Sequence, residues 1–157
     1  MHVPRTCLVI ALVCATLGLA APAAASPPFT IRGLSVIPPV GGFGAVPVGS
    51  CNLATDAGCE PKTFTLVNVG ATTIFVDGFG IANAGANNFA LVQGTPGSGC
   101  EFLPLVEGHW ALFPGSPCVI SVVASPPTRG LTRNTLNIWF GEQSSPIALV
   151  PLLAAGI

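Results

Sequence analysis

The stretch FPGSPCVISVVASPPTRG, residues 113–130, combines a turn, a strand and a stop. It opens with Pro114-Gly115, a pair typical of tight turns. From Cys118 to Ala124 every second residue is apolar, and this period of two predicts a β-strand with one buried face. Pro126-Pro127 then ends the strand, because proline cannot donate a hydrogen bond to a sheet. The stretch therefore predicts a strand that starts at a cysteine beside a turn.

The same rhythm continues along the chain. Glycine and proline, 19 and 16 of the 157 residues, separate segments rich in Val, Ile, Thr and Phe. Turn signals at intervals of roughly eight to twelve residues predict an all-β fold, an immunoglobulin-like β-sandwich of about seven strands. Segments 29–37 and 43–49 are interpreted as a split first strand at the sheet edges. Segments 63–70 and 72–81 are expected to pair across a tight Gly70-Ala71 turn. The other predicted strands are 89–93, 118–124, 132–141 and 146–154.

The first 25 residues have the layout of a secretory signal peptide. Arg5 precedes an apolar run over 7–21, and the PAAAS that follows has a small-x-small cleavage pattern ending at Ala25. A transmembrane helix needs about 20 apolar residues, and this run is shorter. We therefore predict a cleaved signal peptide over 1–25, one immunoglobulin-like domain over 26–157, and a secreted, periplasmic or cell-envelope location.

Four cysteines belong to the predicted domain. In an exported chain they indicate two disulfides, for which three connectivities exist. The pairing of Cys51 with Cys59 and of Cys100 with Cys118 is favoured, because each bridge then closes a local loop. A metal site is the competing interpretation, but no CxxC spacing occurs and His109 is the only histidine in 26–157. No metal site is therefore expected.

The charge balance argues against several classes of partner. The chain has five basic residues, and Arg5 is removed with the signal peptide. The predicted domain therefore has four basic and six acidic residues, which gives it a net charge of −2. Without a basic patch, nucleic acid and an anionic membrane are not expected as partners. The apolar end over 147–157 is short and contains Pro151, so no membrane span is expected in the mature chain. No residue set indicates a cofactor.

Seven short motifs follow one another in a definite order. They are FGAVPVG (43–49), FTLVNVG (64–70), FAL (89–91), Cys100, PGSPCVISV (114–122), PPTRG (126–130) and VPLLAAG (150–156). The ordered set resembles the choice-of-anchor D domain, an immunoglobulin-like module similar to the ASH, MSP and Hydin-like sandwiches. The resemblance implies a structural or adhesive module of exported bacterial proteins, without catalytic residues.

Two positions depart from the pattern of that family. Ala124 stands where the family tends to place a large aromatic residue, so Trp139 or Phe140 is expected to fill that volume. Ala154 stands where the terminal motif usually has glycine. Neither change is expected to alter the fold.

A catalytic function is the alternative. His109 is the only side chain of the predicted domain suited to act as a base near neutral pH. Together with Ser116 and Glu107 it could form a Ser–His–acid set, which would make the protein a secreted hydrolase with a site around His109 in the 100–118 loop. Ser116, however, lies in a Gly-Ser-Pro turn without a nucleophile elbow. Glu101 and Glu107 could be paired as glycosidase acids, but no further feature supports that pairing.

The predicted irregular segment before Cys118 is rich in large apolar residues. If exposed, they form a patch of the kind that marks an interaction surface. Alternatively, they cover one open end of the sandwich as additional core. The sequence thus predicts a non-catalytic structural or binding module that mediates protein–protein or cell-envelope interactions, with a protein partner or with a second copy of itself. The candidate interaction residues are Phe102, Leu105, Trp110 and Phe113.

Overall fold

The structure, a computed structural model, describes residues 29–31, 33–83, 88–92, 100, 103–140 and 148–157. The predicted signal peptide over 1–25, the domain start at 26, and residues Glu101 and Phe102 lie outside this part of the chain. Within it, no helix is long and apolar enough to cross a membrane. The described residues form eleven strands: β1 (Phe29–Ile31), β2 (Leu34–Ile37), β3 (Gly41–Val46), β4 (Lys62–Asn68), β5 (Ile74–Ile81), β6 (Phe89–Leu91), β7 (Leu105–Val106), β8 (His109–Leu112), β9 (Pro117–Ala124), β10 (Gly130–Phe140) and β11 (Ala148–Gly156).

These strands make two sheets. Sheet one has the order β1-β2-β4-β9-β6, and sheet two has the order β3-β11-β10-β5-β8-β7. Neighbouring strands are antiparallel except β3 and β11, which run parallel with Gly41 opposite Leu152. Two layered, mostly antiparallel sheets around one core are the immunoglobulin-like β-sandwich that the sequence predicts, so the fold class is confirmed.

Alternation along each strand decides which side chains enter the core. On β4, Phe64 and Leu66 are fully buried while Thr63 and Thr65 point away from the core. On β11 the buried positions are every second residue from Ala148 to Ala154. Because successive side chains point to opposite faces, the two inner faces interdigitate into one layer. The largest fully buried side chains are Leu34, Val36, Phe64, Leu66, Val76, Leu112, Val122, Val123, Leu136, Ile138, Val150 and Leu152.

The predicted hairpin across Gly70-Ala71 is wrong. Strand β4 pairs with β2 and β9 in sheet one, whereas β5 pairs with β10 and β8 in sheet two. The segment between them therefore crosses from one sheet to the other. Asn68 holds this crossing, because its side chain accepts a hydrogen bond from the Gly70 N–H at 2.9 Å and donates one to the Thr72 carbonyl at 2.7 Å. These bonds direct the chain away from the partner strand that a tight turn would require.

The structure has more than the seven predicted strands for two reasons: one predicted strand is two strands, and a segment predicted as irregular contains two more. Segment 29–37 is a hairpin of β1 and β2 that turns at Gly33, whose φ of 82° favours glycine. Strands β1 and β3 are edge strands, as expected for this part of the chain, while β2 lies inside sheet one. The segment predicted as irregular before Cys118 contains the β7–β8 hairpin, and β8 extends sheet two by pairing with β5.

Both predicted disulfides are present. Cys51 and Cys59 have Cα atoms 4.6 Å apart and are separated by 8 residues in sequence. Cys100 and Cys118, 18 residues apart in sequence, have Cα atoms 4.8 Å apart, and both are buried in the core. The second bridge ties the start of β9 to the chain that leads into the β7–β8 hairpin. The cysteine at the beginning of β9 is therefore the residue that fixes this part of the chain to the strand.

Candidate functional site

The outward face of sheet two is unusually apolar for the surface of a sandwich. Residues of β10 and β11 that point away from the core alternate with buried ones, and each pairs with an outward residue of the neighbouring strand. Antiparallel sheets with one solvated face normally carry polar residues there. The nine outward side chains of these two strands are Leu131, Arg133, Thr135, Asn137, Trp139, Leu149, Pro151, Leu153 and Ala155.

Exposure of this face is substantial. Leu131 is 60% exposed and Leu149 is 52% exposed, and both are large apolar side chains. Of the nine outward residues only Arg133 carries a charge, and it is exposed as well. An apolar sheet face of this size is the kind of surface that marks an interaction site.

Trp139 extends this face over β5. A Cβ atom placed on Gly80 would lie 2.9 Å from the Trp139 ring, and one on Gly78 would lie 4.0 Å from it. The half-buried indole therefore packs closely against a strip of β5 backbone where two glycines have no side chains. Any larger residue at position 80 would lift the ring, so the glycine is needed for this close approach.

An acid–imidazole pair lies on the same outward side. The ring nitrogen Nδ1 of His109, on β8, pairs with the Oδ1 atom of Asp77, on β5. The two side chains are 29% and 20% exposed, and the Oδ2 atom of Asp77 is buried without a hydrogen-bond partner among the described residues. Phe75, 40% exposed, meets the His109 ring edge-on with the ring centres 6.5 Å apart. The pair thus stands in a largely apolar setting.

The structure separates the predicted interaction residues. Trp110 points inward, is half-buried against the core, and stacks on Phe79 with the ring centres 5.7 Å apart. Phe113, in contrast, is 45% exposed. Phe102 and the side chain of Leu105 lie outside the described part of the chain. Among the predicted residues whose side chains are described, Phe113 is thus the exposed one and Trp110 belongs to the packed interior.

The predicted Ser–His–acid set is not assembled. Glu107 is exposed in the β7–β8 turn, and the carboxylate that pairs with His109 comes from Asp77 instead. Ser116 lies beyond the other end of β8, where its carbonyl accepts a hydrogen bond from the Asn68 N–H at 3.3 Å. His109 begins β8 and Leu112 ends it, so roughly 10 Å of strand lies between the imidazole and the turn that holds Ser116. A nucleophile and its base need to be within about 3 Å of each other.

A concave feature of the described residues lies between β3 and the loop that leads into β4. It is a cavity of about 530 Å³. Its lining combines apolar residues, one cysteine of a disulfide and two charged residues. The lining residues are Gly42, Phe43, Ala45, Val46, Pro47, Ser50, Cys51, Gly58, Glu60, Pro61, Lys62 and Ala124.

Metal binding finds no support in the described residues. Within them, no three His, Cys, Asp or Glu side chains come together as a group that could hold an ion.

Neither family models nor curated proteins match this chain. Solved structures do share its architecture. It is similar to the VesB protease of Vibrio cholerae, with a TM-score of 0.51 and 16% identity over 79% of this chain, and it spans 32% of that protease chain. It is also similar to the ASH/PapD-like domain 7 of human CEP192, with a TM-score of 0.45 and 10% identity over 100% of this chain and 98% of that domain. A third similar structure is SSP-19, an MSP-domain protein like family member from Caenorhabditis elegans, with a TM-score of 0.40 and 11% identity over 77% of this chain and 96% of that one.

Similarity at these identities concerns the fold alone. The two layered sheets make the chain an immunoglobulin-like β-sandwich. It spans about a third of the VesB chain, so the proteolytic activity in that protein's name does not carry over with the fold.

Proposed function

We propose that the chain is an exported, non-catalytic binding module that acts through the outward face of sheet two. The observation that carries this proposal is the combination of exposed Leu131 and Leu149 with a single charge, Arg133, among the nine outward residues of β10 and β11. A face of this composition gains free energy when it is covered, at about 25 cal/mol for each Å² of apolar surface removed from water.

The occupant of this face is a second copy of the chain. The five strands β3, β11, β10, β5 and β8 have between four and eleven residues and lie about 4.8 Å apart, so the face, which includes the Asp77–His109 pair, measures on the order of 600 Å². Standard protein interfaces take about 600–1,000 Å² from each partner. The face is therefore large enough to hold a dimer, and two twisted sheets pack face to face readily.

Charge placement selects the orientation of the two copies. Arg133 lies toward one end of β10 and Trp139 toward the other, with Leu136 midway between them. If β10 of one copy lies antiparallel over β10 of the other, each Arg133 meets Trp139 of the second copy. A guanidinium over an indole face is attractive. The opposite orientation, β10 parallel over β10, would instead place the two Arg133 side chains together.

Strand edges are less suited to this role. The edge strands β1, β6 and β7 have only three, three and two residues. At the β3 edge, Gly44 has a φ of 69° and the Lys62 ammonium already donates to the Gly42 carbonyl. Edge strands that are short, irregular or occupied by a lysine side chain disfavour the addition of a further strand. Binding by strand addition is therefore the weaker mechanism.

Light scattering over a range of protein concentrations tests the proposal, with the mature domain and both disulfides intact. The parent should approach twice the monomer mass as concentration rises. Leu149→Ser removes one leucine from each copy, and therefore two from the dimer interface. It should raise the dissociation constant by at least about tenfold. Val69→Ser is the matched control, because Val69 is 58% exposed just after β4 in sheet one. A monomer mass at every concentration would overturn the dimer.

We propose further that the chain is of the choice-of-anchor D type and that it works outside the cytosol. The motif residues that prompt this assignment have structural roles: Asn68 and Gly70 form the crossing between the sheets, and Gly156 approaches the turn after β9 closely. Two disulfides support an exported location, since such bridges persist in oxidising compartments. Proteinase accessibility of the chain on intact cells, with and without residues 1–25, tests the location.

A further inference from the structure

The cavity between β3 and the loop before β4 has the dimensions of a ligand site. Its volume is about 530 Å³, and small-molecule pockets usually measure roughly 300–1,000 Å³. Its apolar wall includes Phe43, Val46 and Pro47 from β3 and the residues after it, and Pro61 from the opposite side. Ala124, buried at the end of β9, lines it as well.

A small side chain at position 124 leaves this space open. Trp139, expected to fill it, lies on the outward face of sheet two instead. Phe140, the other residue expected to fill it, lies at the opposite end of β10 from Ala124. Gly130, at the near end, pairs with Gly156, and Gly156 lies beside Pro126. Phe140 is ten residues away from Gly130 along the strand. Ten residues of strand span roughly 33 Å, so Phe140 does not reach Ala124. Both expectations about this volume are therefore wrong.

The rim of the cavity is held in place. The Cys51–Cys59 bridge closes the loop on one side. Gly58 has a φ of 73°, and a Cβ atom there would lie 2.6 Å from the Ser50 carbonyl oxygen, so the loop packs tightly on itself. On the other side Phe43 packs on Phe89 with the ring centres 5.4 Å apart. A rim fixed in this way is preorganised for a ligand and lowers the entropy that binding costs.

The cavity is lined by one cation, Lys62, and one anion, Glu60. Lys62 is half-buried, and its ammonium group donates to the Gly42 carbonyl, which uses one of its three hydrogens. Glu60 also lines the cavity but is exposed, so water screens its charge. An anionic group next to the apolar wall would thus meet a positioned cation.

We propose that this cavity binds a ring-bearing apolar monocarboxylic acid, with the ring against Ala124 and Phe43 and the carboxylate on the Lys62 ammonium. None of the nine outward residues of β10 and β11 lines the cavity, although β3 contributes to both the cavity and the sheet-two face.

Calorimetric titration of the disulfide-intact domain with three indoles tests the charge and the ring together. Indole-3-acetate, indole and tryptamine share one ring and differ in charge. Indole-3-acetate should bind about tenfold more tightly than tryptamine, because only the acid can accept from Lys62. Indole should fall between them. Equal affinity for the three probes, or no saturable binding of indole-3-acetate, would overturn the proposal.

Two variants locate the site. Ala124→Phe fills the cavity and should abolish binding of indole-3-acetate and of indole alike; Ala124→Leu replaces it if the larger variant does not fold. Lys62→Gln should lower the affinity for indole-3-acetate about tenfold and leave the affinity for indole unchanged. Arg129→Gln is the control, since Arg129 is an exposed cation that does not line the cavity. Unchanged binding by the Ala124 variants would place the ligand elsewhere and overturn the assignment.

Discussion

The side-chain amide of Asn68, on β4 in sheet one, donates a hydrogen bond of 2.8 Å to the carbonyl of Leu112, on β8 in sheet two. Asn68 is fully buried, and the same side chain also bonds to Thr72 and Gly70. Its backbone accepts from the Gly115 N–H at 2.7 Å. One residue thus joins the two sheets to the crossing segment and to the turn before β9.

Asn68→Ala should lower the free energy of unfolding by about 3 kcal/mol, because it leaves several buried backbone groups without partners. Urea denaturation followed by circular dichroism measures the loss. Asn137→Ala, a half-buried asparagine on the outward face of sheet two, should cost less than about 1 kcal/mol. Equal losses for the two variants would show that Asn68 does not bridge the sheets.

Gly156→Ala should destabilise the fold by about 2 kcal/mol. A Cβ atom at this position would overlap the Thr128 carbonyl oxygen and would lie 3.1 Å from the Pro126 Cβ atom, so the backbone must move. Gly42→Ala is the matched control, because no atom of the described part of the chain lies within 4 Å of a Cβ atom there. Thermal denaturation should show a lower melting temperature for the first variant than for the second; the reverse order would contradict the packing described at the end of β11.

The two disulfides should differ in what they contribute. In the chain-entropy account, closing 18 residues stabilises by about 3 kcal/mol, and closing 8 residues by about 2.5 kcal/mol. Replacement of Cys100 and Cys118 together by Ala should therefore cost more than replacement of Cys51 and Cys59, and the buried position of the first pair adds to the difference. Denaturant titration of the two double variants measures both losses. An equal or larger loss for the Cys51–Cys59 variant would contradict this ranking.

The Asp77–His109 pair should prove structural. His109→Ala removes the partner of a carboxylate whose other oxygen has no hydrogen bond to any residue that the structure describes, so we expect a loss of about 1 kcal/mol. In a double-mutant cycle with Asp77→Ala, the combined loss should be smaller than the two single losses together. Ester and peptide hydrolysis should stay at background in the parent and in the variants. Activity in the parent that His109→Ala abolishes would instead favour the hydrolase.

Local patterns in the sequence predict much of this fold. Alternation around Phe64, Leu66 and Ile120 identifies strands and their buried faces, and loop closure suffices to favour the observed cysteine pairing. Which sheet a strand joins is not a local property. Gly70 looks like a hairpin turn, yet the chain crosses the sandwich there, and the Asn68 hydrogen bond to the Leu112 carbonyl, 44 residues away, forms only when both sheets are in place.

The candidate interface is harder to identify from sequence for a related reason. Apolar richness before Cys118 suggests an exposed patch, but Trp110 turns inward once β8 pairs with β5. A usable signal lies in β11, where Ala148–Gly156 is apolar at nearly every position instead of every second one. A continuous apolar run of this kind is typical of a strand whose two faces are both buried. In the fold, only the inward face of β11 is buried.

A photo-reactive amino acid at position 149 probes whether a second copy covers the outward face of sheet two, because Leu149 lies on that face and is 52% exposed. After irradiation in the native compartment and digestion, we expect a cross-link to the β10–β11 region of a second copy, and none from position 69. A cross-link from 149 to a different protein would contradict self-association while retaining a binding role for the face, and no cross-link at all would contradict both.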